Sequence, residues 1–175
     1  MSDSRIEGYA RGLFEIARAE GTIDEVEDEL FRFARLYESN EEMRNALSDE
    51  QIPAGKRQSI VEDLLGGKVT PTTTQLISMV VGSGRARDLP AIVDKLVARA
   101  STAKNLAVAE VRTAIALTPD QQTRLAAALA NATGKEVNLK VVVDPSVLGG
   151  IVATVGDTVI DGTVRSRIEQ LKSRL

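Results

Sequence analysis

Apolar residues recur at three- and four-residue spacing near the start of the chain, as Ile6, Tyr9, Ala10, Leu13, Phe14, Ile16 and Ala17. That period predicts a helix from about Ser4 to Glu20, stopped by Gly21. Its apolar face is wider than the ~100° stripe of a helix packed on one side only. Gly12 lies on the flank shared by Tyr9 and Ile16, and a mid-helix glycine costs ~1 kcal/mol relative to alanine. Close approach of another helix would account for it; so would a tolerated surface position. A second helix spans Asp24 to Tyr37, with Val26, Leu30, Phe33 and Tyr37 inward. Its acids come early and Arg32 and Arg35 late, which suits the helix dipole and reads as a solvated face rather than a metal site.

Asn40 caps a short helix through Leu47. Pro53 opens another, with Ile60, Val61, Leu64 and Leu65, ended by Gly66-Gly67. Thr70-Pro71 is a cap and first-turn pair for a helix carrying Leu76, Ile77, Met79, Val80 and Val81. This face too is broad: the helix is either central to a bundle or keeps part of its surface for a partner. Asp88-Leu89-Pro90 starts a longer helix with Ile92, Val93, Leu96, Val97 and Ala100 inward. About six helices with short connections describe a bundle.

The period then changes, and Ser101 to Asn105 marks the boundary. Ala107, Ala109, Val111, Thr113 and Ile115 alternate as a strand, with Glu110 and Arg112 on its other face. Thr118-Pro119-Asp120-Gln121 is a capping box for an Ala-rich helix ending at Gly134. Val137, Leu139, Val141 and Val143 form the next strand. From there the chain reads as a turn (Asp144-Pro145-Ser146, Gly149-Gly150), a strand (Ile151 to Val155), a tight turn (Gly156-Asp157) and a short strand. Asp161-Gly162 breaks that strand. A last helix follows, with Val164, Ile168, Leu171 and Leu175 on one stripe and Arg165, Arg167, Lys172 and Arg174 off it. The expected fold is α+β: an all-α helical bundle over residues 1–103, then a small β-α-β-β-α unit over residues 104–175.

Composition narrows the chemistry. The formal net charge is −3, whereas general nucleic-acid binding needs a basic footprint. With no Cys and no His, the chain has neither thiolate nucleophile nor the commonest general base and metal ligand. The glycine clusters are in the wrong contexts for phosphate loops: Gly82-Ser83-Gly84-Arg85 follows a helix, Gly134-Lys135 is followed by Glu136, and Gly149-Gly150 enters a strand. Asp161 and Asp157 lack a partner base, and Ser146 and Ser166 lack a histidine to activate them. No catalytic, cofactor-binding or metal site is expected. The residues describe a protein that binds proteins.

The last segment carries a specific resemblance. Asp144-Pro145-Ser146, Gly149-Gly150, Gly156-Asp157 and above all Val159-Ile160-Asp161-Gly162-Thr163-Val164-Arg165 resemble the C-terminal signature of the delta subunit family of F-type ATP synthases, the oligomycin sensitivity-conferring proteins. Tyr9-Ala10-Arg11-Gly12-Leu13-Phe14-Glu15-Ile16-Ala17 is similar to the family's opening helix, and Gly84-Arg85 with Leu89-Pro90 to its middle. Gly12 stands where the family more usually has Ala, and Thr163 where it often has Ser; both remain small.

The resemblance implies a non-catalytic stator subunit that joins the catalytic head to the peripheral stalk against rotor torque. The bundle would receive the N-terminal helices of alpha subunits, and the C-terminal unit the ends of the b subunits. Tyr9, Gly12, Leu13, Met79, Gly84 and Arg85 are the alpha-facing candidates. Asp161, Gly162, Arg165, Ile168 and Leu171 are the b-facing or supporting ones. Targeting segments open the organellar members; Met1-Ser2-Asp3-Ser4-Arg5 has no such character, so a bacterial protein at the cytoplasmic face of the cell membrane is expected, attached only through the complex. The competing reading is a cytoplasmic adaptor whose α/β domain binds a regulatory ligand; a convergent polar pocket there would favour it.

Overall fold

The computed structural model describes residues 3–162, and the chain divides into two compact units, Met1–Ala100 and Ser101–Leu175. In the first unit α1 (Asp3–Ala19), α2 (Ile23–Ser39), α3 (Glu41–Ser48), α4 (Ala54–Leu65) and α5 (Pro71–Gly82) are followed by a single 3₁₀ turn (Ala86–Asp88) and α6 (Leu89–Ala103). The helix ends follow from their caps. Asn40 closes α2 by donating its N–H to Leu36 O, and its side chain accepts the Met43 N–H at 2.9 Å to open α3. Pro53 precedes the first turn of α4, where its carbonyl accepts the Arg57 N–H at 3.1 Å.

The inward stripes meet in one core. Val26, Leu30, Phe33 and Tyr37 of α2 are all buried, as are Ala10, Leu13, Phe14 and Ala17 of α1 and Leu76, Ile77, Val80 and Val81 of α5. Each such leucine, valine or phenylalanine contributes roughly 1.5–3 kcal/mol relative to exposure. Most of the breadth of the α5 apolar face is therefore spent inside the bundle. Surface pairs fasten α6 to its neighbours: Arg99 to Glu7, Lys95 to Asp3 at 3.4 Å, and Arg35 to Asp94 at 2.7 Å.

The second unit contains β1 (Ala107–Thr113), α7 (Pro119–Thr133), β2 (Val137–Val143), β3 (Ile151–Val155) and β4 (Thr158–Asp161). The sheet order is β2-β1-β3-β4, with β1 and β2 parallel and the other pairs antiparallel. A parallel neighbour needs a crossover, and α7 supplies it. Three strands follow α7, and β4 is the short strand expected after the Gly156-Asp157 turn, one more than the β-α-β-β-α shorthand counts. Both arms of the Thr118/Gln121 capping box form, and Gly134 ends α7 in the left-handed conformation at φ +70°. Ala109, Val111, Leu129, Ala153 and Val155 make the core, with Leu125, Leu139 and Ile151 packed against it.

One boundary is corrected. Ile115 does not continue β1: the strand ends at Thr113, and Ile115 is 72% exposed. Its potential neighbours have run out. The β2 ladder stops at Val143, β3 begins opposite Thr113, and the Thr113 carbonyl accepts the Asp144 N–H.

Candidate protein-binding site

Tyr9, Gly12, Ile16 and Glu20 follow one another at three- and four-residue spacing along α1 and its last turn, so they share a stripe. The Glu20 N–H still bonds back to Ile16 O, which carries the helical path one residue past Ala19. On α5, Thr72 and Met79 are seven residues apart and share a stripe in the same way. The Thr72 hydroxyl donates to a Glu20 carboxylate oxygen, which sets the two stripes side by side at one end. Two large apolar side chains on these stripes stay open to solvent, Ile16 at 39% and Met79 at 43% exposed.

Between Tyr9 and Ile16, nothing lies within 4 Å of where a Cβ would stand on Gly12. Among the described residues, no helix of this chain makes the close approach that a glycine allows. Tyr9 is half-buried. Leu13, one residue further on, is only 2% exposed and packs in the bundle core, so it supports the surface from beneath and offers nothing to a partner. Ile16 takes its place on the surface. Sequence reasoning did not single it out, although its position four residues after Gly12 was the available signal.

Gly84 and Arg85 close α5. The Arg85 N–H reaches Val80 O and the Gly84 N–H reaches Val81 O, both at 3.0 Å, the paired bonds that end a helix through a left-handed residue. Gly84 has φ +74°, and Arg85 turns toward Asp88 at 3.7 Å. Their structural work is to stop α5. Gly84→Ala is expected to cost about 1 kcal/mol through left-handed strain, read as a lower urea midpoint.

The other end of α5 is held by acids from neighbouring helices. One Glu29 carboxylate accepts the Thr70 N–H (3.0 Å), the Thr70 hydroxyl (2.8 Å) and the Thr73 hydroxyl (2.6 Å). Burial works to raise the Glu29 pKa, but bonds from Thr73 and Thr70 and the nearby Arg32 charge outweigh it and hold the carboxyl below its ordinary value. A carboxyl lowered in the folded state stabilises above its unfolded pKa of ~4.3, and that share is lost as pH falls through the folded value.

In the second unit, Asp161 is the exposed last residue of β4, opposite Val152, and the Gly162 N–H bonds Ile151 O at 2.9 Å. Arg165, Ile168 and Leu171 lie outside the described residues, as does the helix expected there. The Asp161–Gly162 corner shares an end of the sheet with the exposed side chains of Ile115, Val143 and Leu148, because β1 and β2 finish and β3 starts there. The neighbouring Asp144-Pro145-Ser146 turn is closed by the Asp144 carboxylate, which accepts the Ser146 hydroxyl (2.6 Å) and N–H (2.9 Å). Those bonds, with Arg112 at 3.5 Å, hold the Asp144 carboxyl below its usual value. Among the described residues, no group of acidic side chains is arranged to hold a metal, and no helix is long and apolar enough to cross a membrane.

The family model described as ATP synthase delta (OSCP) subunit matches residues 6–175. The chain belongs to the ATP synthase delta (OSCP) subunit family. A relative from Nocardia farcinica named ATP synthase subunit delta is 44% identical over all of this chain and 65% of its own length. One of the same name from Streptomyces avermitilis is 42% identical over 91% of this chain and 58% of its own. The chain thus spans about three-fifths of the length of these two relatives. A delta subunit from Desulforudis audaxviator, 33% identical, is matched over 95% of this chain and 92% of its own. In the solved Toxoplasma gondii mitochondrial ATP synthase hexamer, one chain shares the fold with a TM-score of 0.54 at 18% identity, over 97% of this chain and 96% of that one. In this chain the Gly12 stripe and the Asp161–Gly162 corner fall in separate units, one helical and one built on a sheet.

Proposed function

We propose that this chain is a stator subunit of an F-type ATP synthase, in which it links the catalytic head to the peripheral stalk and resists rotor torque. Residues 1–103 receive the amphipathic N-terminal helices of alpha subunits, and residues 104–175 dock the b subunits. The chain carries load and does no chemistry. It sits at the cytoplasmic face of a bacterial membrane, held there through the complex.

The observation that carries this reading is that Gly12 and Ile16 on α1 and Met79 on α5 stay open, on helices joined at one end by the Thr72–Glu20 bond, in a chain of the delta family. An amphipathic helix laid on them would cover two large apolar side chains and come closest over the glycine, the helix-in-groove mode of recognition. In the second unit the exposed Ile115, Val143 and Leu148 beside the Asp161–Gly162 corner support a separate docking surface for the stalk. Family membership disfavours the ligand-binding adaptor.

The direct test is co-purification of the tagged chain from membrane extract before and after a wash that strips the catalytic head. Recovery of alpha and b subunits before the wash, with alpha lost after it, is expected; retention of neither overturns the reading. A sharper version is Gly12→Leu, which fills the open space without touching the core. It is expected to weaken an alpha N-terminal peptide about tenfold, as overpacking costs ~1–3 kcal/mol, and calorimetric titration measures it.

A further inference from the structure

The first turn of α5 contains no acidic residue, and the helix has no charged side chain anywhere along Pro71–Gly82. A helix N-terminus carries unsatisfied N–H groups and a partial positive charge that favour a nearby anion. Here neighbouring helices supply it. Glu29 of α2 takes the Thr70 N–H and the Thr70 and Thr73 hydroxyls, which leaves the Thr70 oxygen to accept the Thr73 N–H as the cap. Glu20, just past α1, takes the Thr72 hydroxyl. Two carboxylates from outside α5 thus grip three threonines, Thr70, Thr72 and Thr73, at its start.

We propose that Glu29 and Glu20 are positioning residues for partner binding: they set the pose of α5 against α1 and α2, and through it the placement of Met79 relative to Ile16 and Gly12. This rests on the head-binding reading above. Neither acid needs to touch the partner. Met79 lies seven residues, roughly 10 Å of helix, beyond the gripped turn, so a small tilt at the turn moves it relative to α1. The grip is built from hydroxyls and a backbone amide on one side and carboxylates on the other, and its loss releases the end of α5 without emptying the apolar core.

The test measures the affinity of the full chain for an alpha N-terminal peptide with Glu29→Gln, Thr73→Val and the double variant, and follows amide exchange in parallel. Glu29→Gln is expected to lose about tenfold in affinity, since hydrogen bonds to a charged group are the strong ones. Thr73→Val is expected to lose less, and the double variant no more than Glu29→Gln alone, because the two act through one contact. Faster exchange confined to the start of α5 marks positioning. Should Glu29→Gln unfold the bundle, Glu20→Gln, at an exposed contact, serves instead, with an expected loss of about threefold. If the wild-type chain binds and neither variant changes affinity, the positioning role is wrong and the docking surface stands. If the wild-type chain does not bind the peptide, both fall together.

Discussion

Replacing Met79 with aspartate is expected to weaken binding of an alpha N-terminal peptide by about 30-fold or more, the equivalent of ~2 kcal/mol. Burying a methionine side chain contributes roughly 1.5–3 kcal/mol, and a carboxylate in its place would have to be desolvated without a partner. Because Met79 is 43% exposed in the free chain, the same change is expected to move the unfolding midpoint little, within about 0.5 kcal/mol. Calorimetric titration beside a urea melt separates the two effects. An unaltered affinity would move the docking surface off α5.

Leu13→Ala is expected to do the reverse. Leu13 is buried with Ala10, Phe14 and Ala17, and truncating a core leucine costs about 2–5 kcal/mol through lost transfer energy and the cavity left behind. Against a total stability of about 5–15 kcal/mol for an ordinary domain, that is a large fraction. Equilibrium unfolding measures it, with a probe in the helical unit, since two compact units need not melt as one. A loss below about 1 kcal/mol would mean that this position is not in the core. Leu13 and Gly12 are adjacent in sequence, yet one belongs to folding and the other to recognition.

That adjacency shows how far the sequence could be read. Helical periodicity placed Val26, Leu30, Phe33 and Tyr37 of α2 inside, by the logic that an amphipathic helix turns its apolar stripe inward, but it missed Phe31, Ala34 and the buried Glu27 beside them. On α1 and α5 the apolar faces were too broad for that logic. Period alone identified an excess of apolar surface without saying which side chains the bundle would consume. The bundle consumes Leu76, Ile77, Val80 and Val81 and leaves Met79; it consumes Leu13 and leaves Ile16. Ile115 was misread for a related reason: alternation signals a strand, but a strand lasts only while neighbours offer hydrogen bonds, and those stop at Thr113 and Val143.

What the sequence determined by itself is local. Caps, turns and periodicities placed the described helices and strands to within a few residues, and the motifs at both ends and the middle matched the delta family. These signals are carried by residues within a turn or two of one another, so no partner element is needed to read them. Tertiary structure alone decided which apolar side chains remain open and that Glu29 and Glu20 hold α5 from outside it. Each of these depends on contacts between residues far apart in the chain or on the exact path of the backbone, and a side chain is free for a partner only after the rest of the fold has taken what it needs.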